Sequence, residues 1–90
     1  MHGAFLTLPT TVNVQLLDVS VAGALLQSTE PLDVGTDAHL TVSLGGTPFK
    51  ADLRVERVAA PARGGGYHLG ATFAALSPEH QEVIRRFVTQ

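Results

Sequence analysis

Within the chain's 90 residues, the stretch with the most chemical content is Asp18-Val19-Ser20-Val21-Ala22-Gly23. A carboxylate and a hydroxyl two residues apart, set between two apolar runs, can accept backbone N–H bonds and hold a turn. The same two groups beside a glycine can also face a ligand, because a residue without a Cβ admits close approach. The hexapeptide alone leaves both readings open: a polar hairpin turn, or a surface that presents Asp18, Ser20 and Gly23 to a bound molecule.

Other residue types that do chemistry are sparse. The absence of cysteine removes disulfides, thiolate metal sites and thiol nucleophiles. His2, His39, His68 and His80 fall on separate elements without ligand spacing, so no metal site is expected. Ser20 lacks a nucleophile-elbow context, and no catalytic residue is assigned; the chain reads as non-enzymatic. Gly64-Gly65-Gly66 is not followed by Lys-Ser/Thr and precedes a strand pattern, so it reads as a hairpin loop and not as a phosphate cradle.

Charge narrows the partners. Six Lys and Arg against eight Asp and Glu give a net charge of −2, and no basic stripe suited to a nucleic-acid polymer is visible. The basic residues are Lys50, Arg54, Arg57, Arg63, Arg85 and Arg86, so residues 1–49 carry none. Arg54 and Arg57 stand at i, i+3 in a strand pattern and are expected on opposite faces unless a bulge intervenes. Arg85 and Arg86 read as helix-dipole complement. No apolar run approaches the ~20 residues of a membrane span, and no signal-peptide pattern opens the chain. The expectation is a cytoplasmic domain without membrane insertion.

The elements that must position these residues follow from periodicity. Val12, Val14 and Leu16 alternate with Asn13, Gln15 and Leu17 in a strand over 11–18, and a turn is expected at 19–23. Further strands are predicted over 24–28, 38–44, 49–58 and 67–73, with a short one at 4–8. The fourth is expected to bulge or end where the alternation slips at Arg57-Val58. Gly45-Gly46 signals a hairpin, and 59–66 reads as a loop. Ser77 is a good N-cap with Pro78 at the first helical position, opening a helix whose apolar stripe is Val83, Ile84, Phe87 and Val88. The predicted core is Val12, Val14, Leu16, Leu40, Val42, Phe49, Leu53, Val55, Leu69 and Phe73, with Ile84 and Phe87 against it. One domain over 1–90 is expected.

Asp18, Ser20 and Gly23 resemble the D/N-x-S-x-x-G motif of the PilZ domain family. Tyr67-His68-Leu69-Gly70-Ala71-Thr72-Phe73, then Leu76-Ser77-Pro78 and a helix ending Ile84-Arg85-Arg86-Phe87, are similar to that family's C-terminal part. The resemblance covers residues 11–88. It implies a mainly β fold, a six-stranded antiparallel β-barrel with one C-terminal α-helix, and a role in bacterial second-messenger signalling. It also implies a ligand, cyclic di-GMP, held between the motif face and an R-x-x-x-R segment before the barrel. Arginine suits that task because its planar fork bonds phosphate oxygens bidentately, reads guanine O6 and N7, and stacks on bases. Here residues 1–17 contain no Arg and no Lys. The expectation is therefore an adaptor domain, degenerate at the cyclic di-GMP site. It acts through a protein partner or a second copy, docked on an apolar patch beside the terminal helix or on a barrel edge. The rival expectation is a true cyclic di-GMP receptor whose arginines lie in a missing N-terminal segment or another chain.

Overall fold

In a computed structural model, which describes residues 2–8, 11–60 and 66–88 (backbone only for His2), six strands close into a barrel. The strands are β1 (His2–Thr7), β2 (Thr11–Val19), β3 (Gly23–Ser28), β4 (Asp37–Leu44), β5 (Thr47–Ala59) and β6 (Tyr67–Phe73). Their order around the barrel is β1-β2-β3-β6-β5-β4, every neighbouring pair antiparallel. Among the described residues closure leaves no strand edge of the kind that would recruit a foreign strand, so a barrel edge is not available there as a docking site.

Alternation sets the interior. β4 and the first part of β5 bury every second residue, which places Leu40, Val42, Phe49 and Leu53 inside, each 6% exposed or less. All ten residues of the predicted core are buried, and Ala4, Leu6, Val19, Leu26, Ala38 and Ala71 are among those that join them. Phe49 meets Phe73 edge to face at 5.8 Å between ring centroids, a favoured geometry for aromatic pairs. The turn between β4 and β5 falls at Gly45 and Gly46, with φ of 57° and 86°. Two successive positive φ values suit the twist of a two-residue hairpin, and glycine adopts them without Cβ strain.

Two bulges break the alternation. On β2 the register against β3 shifts between Leu16 and Asp18, so Leu17 is the extra residue. The shift turns Asp18 outward and Val19 inward, and Val19 is 5% exposed. The strand thus runs one residue beyond the expected 11–18, and the turn begins after Val19. On β5 the register against β6 shifts between Val55 and Arg57, with Glu56 as the extra residue. The slip expected at Arg57-Val58 is this bulge, after which the strand continues to Ala59. β1 starts two residues earlier than predicted and ends at Thr7. The predicted loop falls partly on residues 61–65, outside the described residues.

The helix α1 (Pro78–Val88) is capped as its sequence requires. Ser77 Oγ accepts from the His80 backbone N–H at 3.2 Å, and the Ser77 carbonyl accepts from Gln81 N–H at 3.0 Å. Glu82 and Arg86 pair at 3.2 Å across one turn. Ile84 is fully buried in the barrel core, with Val83 and Phe87 packed against the same cluster. His80 lies over Phe49 at 5.2 Å between rings. Val88, expected on the buried stripe, is 51% exposed because it ends the helix.

Candidate ligand-binding face

The bulge at Leu17 builds the motif. It carries Asp18 to the outside of the barrel, where Asp18 Oδ1 accepts from the Val19 backbone N–H at 2.9 Å. Ser20 Oγ accepts from Ala22 N–H at 3.2 Å, and Ser20 N–H donates to the Gly23 carbonyl at 2.9 Å. Both side chains therefore hold the turn between β2 and β3, the first of the two roles the sequence allowed. Both also stay exposed.

Gly23 has a separate reason to be glycine. It pairs with Thr72 at the start of β3, and a Cβ built there would overlap the Ala71 carbonyl oxygen and lie 3.1 Å from its carbon. The close approach is thus made by the neighbouring strand β6. No positive φ is involved at this position.

A surface depression of about 430 Å³ opens beside the motif, floored by β3, β6 and the bulged end of β5. Its rim includes Asp18, Ser20, Leu25, Glu56, Arg57 and Thr72. Sequence spacing sets Arg54 and Arg57 on opposite faces unless a bulge intervenes. The bulge at Glu56 does intervene, so Arg54, Glu56 and Arg57 are all exposed on the outer surface. Arg57 crosses Gly70, where an added Cβ would lie 3.2 Å from its Nε and 3.4 Å from an Nη. Among the described residues Arg57 forms no ion pair. Its signal in the sequence was the broken alternation; its distance of 39 positions from Asp18 concealed the rest.

Arg54 is engaged elsewhere. Its Nε donates to Asp37 Oδ1 at 2.9 Å across β4 and β5, with a longer second contact at 3.4 Å. That guanidinium holds the Asp37 carboxyl below its ordinary value of 3.8, through the hydrogen bond first and the charge second. His39 pairs with Asp52 at 2.8 Å on the same outer surface. The three histidines whose side chains are described do not converge, and no metal-ligating cluster occurs among the described residues.

The electrostatics of the depression follow by inspection. Among the described lining residues, two carboxylates, Asp18 and Glu56, against one guanidinium, Arg57, leave a net charge of −1. No cation stands on β1, β2, β3 or β6. Such a face offers acceptors from Asp18 and Ser20 and a donor fork from Arg57.

A family profile described as "PilZ domain" matches residues 3–90. Among solved structures the chain is similar to the PilZ domain with c-di-GMP of YcgR from Escherichia coli. The likeness has a TM-score of 0.78 and 18% sequence identity, and covers 98% of this chain and 79% of that one. A comparison with curated proteins found no match.

Proposed function

Because this chain belongs to the PilZ domain family, a family of cyclic di-GMP-binding signalling domains, we propose that it is a regulatory adaptor domain whose own nucleotide face is degenerate. It acts mainly through protein contacts, in the bacterial cytoplasm, and without catalysis. The observation that carries this reading is the charge of the motif face. Asp18, Ser20 and Gly23 are in place, yet the depression beside them is net negative and residues 1–17 hold no cation. Each charge-assisted bond to an arginine contributes ~1.5–3 kcal/mol, and every 1.4 kcal/mol is tenfold in affinity. Without two phosphate-gripping arginines, a micromolar site weakens towards ~millimolar. Calorimetric titration of the chain with cyclic di-GMP tests the reading, with flat heats the expected result.

One observation favours a second reading. Arg57 is unpaired among the described residues and borders the same depression as Asp18 and Ser20. If arginines from an upstream segment or another chain complete the face, Arg57 supplies a third donor fork to a guanine edge or a phosphate. Under that reading Arg57→Ala weakens binding in the completed assembly by about tenfold or more. Under the adaptor reading it changes no nucleotide titration.

A further inference from the structure

The charged side chains are distributed unevenly around the barrel. β5 alone carries Lys50, Asp52, Arg54, Glu56 and Arg57, whereas Asp18 is the one charged residue among positions 1–29. The outer face of β1, β2 and β3 is therefore formally neutral away from the motif. On it lies a groove of about 540 Å³, separate from the motif depression, bordered by Gly3, Phe5, Asn13, Gln15, Gln27 and Thr29. Phe5 is 50% exposed at its edge, and a Cβ added to Gly3 would meet nothing within 4 Å.

We propose that this face pairs with the same face of a second copy of the chain in a two-fold dimer. The proposal deepens the adaptor reading by naming one partner of the domain. A two-fold interface must be self-complementary, and three features here satisfy that. Gly3 and Phe5 are two residues apart on β1, so both face outward, roughly 7 Å apart. A two-fold axis lying in the interface and crossing β1 at Ala4 sets each Phe5 over the partner's Gly3, a knob over a notch. The register also aligns two outward rows: Gly3 with Gln15 and Gln27, and Phe5 with Asn13, with Thr29 just past the end of β3. The same axis lays one row over the other, so Asn13 faces the partner's Gln15. An amide is both donor and acceptor, and such pairs satisfy one another without any charge being buried. Pairing through β4 and β5 would instead desolvate a dense row of charges. The face is three strands wide, so the contact falls at the low end of interface sizes and the dimer is weak and concentration-dependent.

Sedimentation equilibrium of the nucleotide-free chain tests this, from about 10 µM to about 1 mM, the range in which a weak association constant is read. The average mass is expected to rise from 9.5 kDa towards twice that value. Phe5→Glu places a carboxylate in the contact, and Gly3→Gln fills the notch without an internal clash. Each is expected to weaken self-association about tenfold or more, while Val34→Ser, at a loop residue 63% exposed and outside this face, leaves it unchanged. Two variants guard against one that fails to fold, and thermal melts identify such a failure. A wild type that stays monomeric at the highest concentration overturns the proposal, as does a dimer indifferent to both substitutions. The motif face lies outside the contact, so cyclic di-GMP titrations stand or fall separately from this result.

Discussion

Asp18, Ser20 and Gly23 each have a structural task of their own. Asp18 and Ser20 satisfy N–H groups of the turn, and Gly23 lets β3 and β6 meet. Gly23 is the least replaceable of the three, because the atom its Cβ would strike belongs to a strand backbone fixed by pairing on both sides. Gly23→Ala is expected to destabilise the chain by ~1–3 kcal/mol or more, the range for forcing an extra methyl into a packed site. Chemical denaturation measures it, and a change below about half a kilocalorie, typical of neutral surface positions, would refute the close contact. Ser20 is exposed, so the loss at Ser20→Ala is smaller, ~0.5–1.5 kcal/mol for one hydrogen bond. The presence of the motif therefore does not by itself establish a working nucleotide site: each of the three residues also has a contact within the fold.

The strands and the helix were legible wherever one face was apolar and the other polar. Leu40-Thr41-Val42 and Leu53-Arg54-Val55 announce their inward faces, and Ser77-Pro78 announces the helix start. The bulge at Glu56 was visible because a charged residue and an apolar one exchanged parity at Arg57-Val58. The bulge at Leu17 was not, because Leu16 and Leu17 are both apolar and either fits inside. The candidate site was half legible for a related reason. Asp18, Ser20 and Gly23 are neighbours in sequence, but Arg57 reaches them only through the β3-β6-β5 pairing, which no local pattern specifies. At this scale Leu53, 1% exposed, carries a direct test of the register. Leu53→Ala is expected to cost ~2–5 kcal/mol in denaturant unfolding, and a loss under about half a kilocalorie would contradict its burial. The Asp37–Arg54 link between β4 and β5 predicts a pH dependence. Its carboxyl is lowered in the fold, so its contribution is present above the ordinary value of 3.8 and is lost as pH falls through the lowered one. Asp37→Asn is then expected to lower the melting temperature slightly at neutral pH, with the gap closing in acid. Both groups are exposed, so the effect is small and shrinks with salt. A gap that persisted in strong acid would assign the effect to something other than the ion pair.

The whole molecule is a closed barrel with an uneven coat. One side is dense in charge, one face is formally neutral, and between them lies a motif depression with more negative than positive groups. That distribution is what the proposed adaptor reading rests on. Among the described residues lining the depression, an anion approaching Asp18 and Glu56 meets repulsion from two carboxylates and help from Arg57. The barrel itself needs no ligand to be complete: its core is continuous, and no buried side-chain N or O atom lacks a partner among the described residues. The central claim is that the nucleotide face of this PilZ domain is degenerate, and paired calorimetric titrations of the wild-type chain and its Ser20→Ala variant with cyclic di-GMP test it most directly. Flat heats are expected from both proteins through the micromolar range, with Ser20→Ala distinguished only by a lower melting temperature. A saturable micromolar signal from the wild type that Ser20→Ala abolishes would contradict it and establish the face as a working receptor.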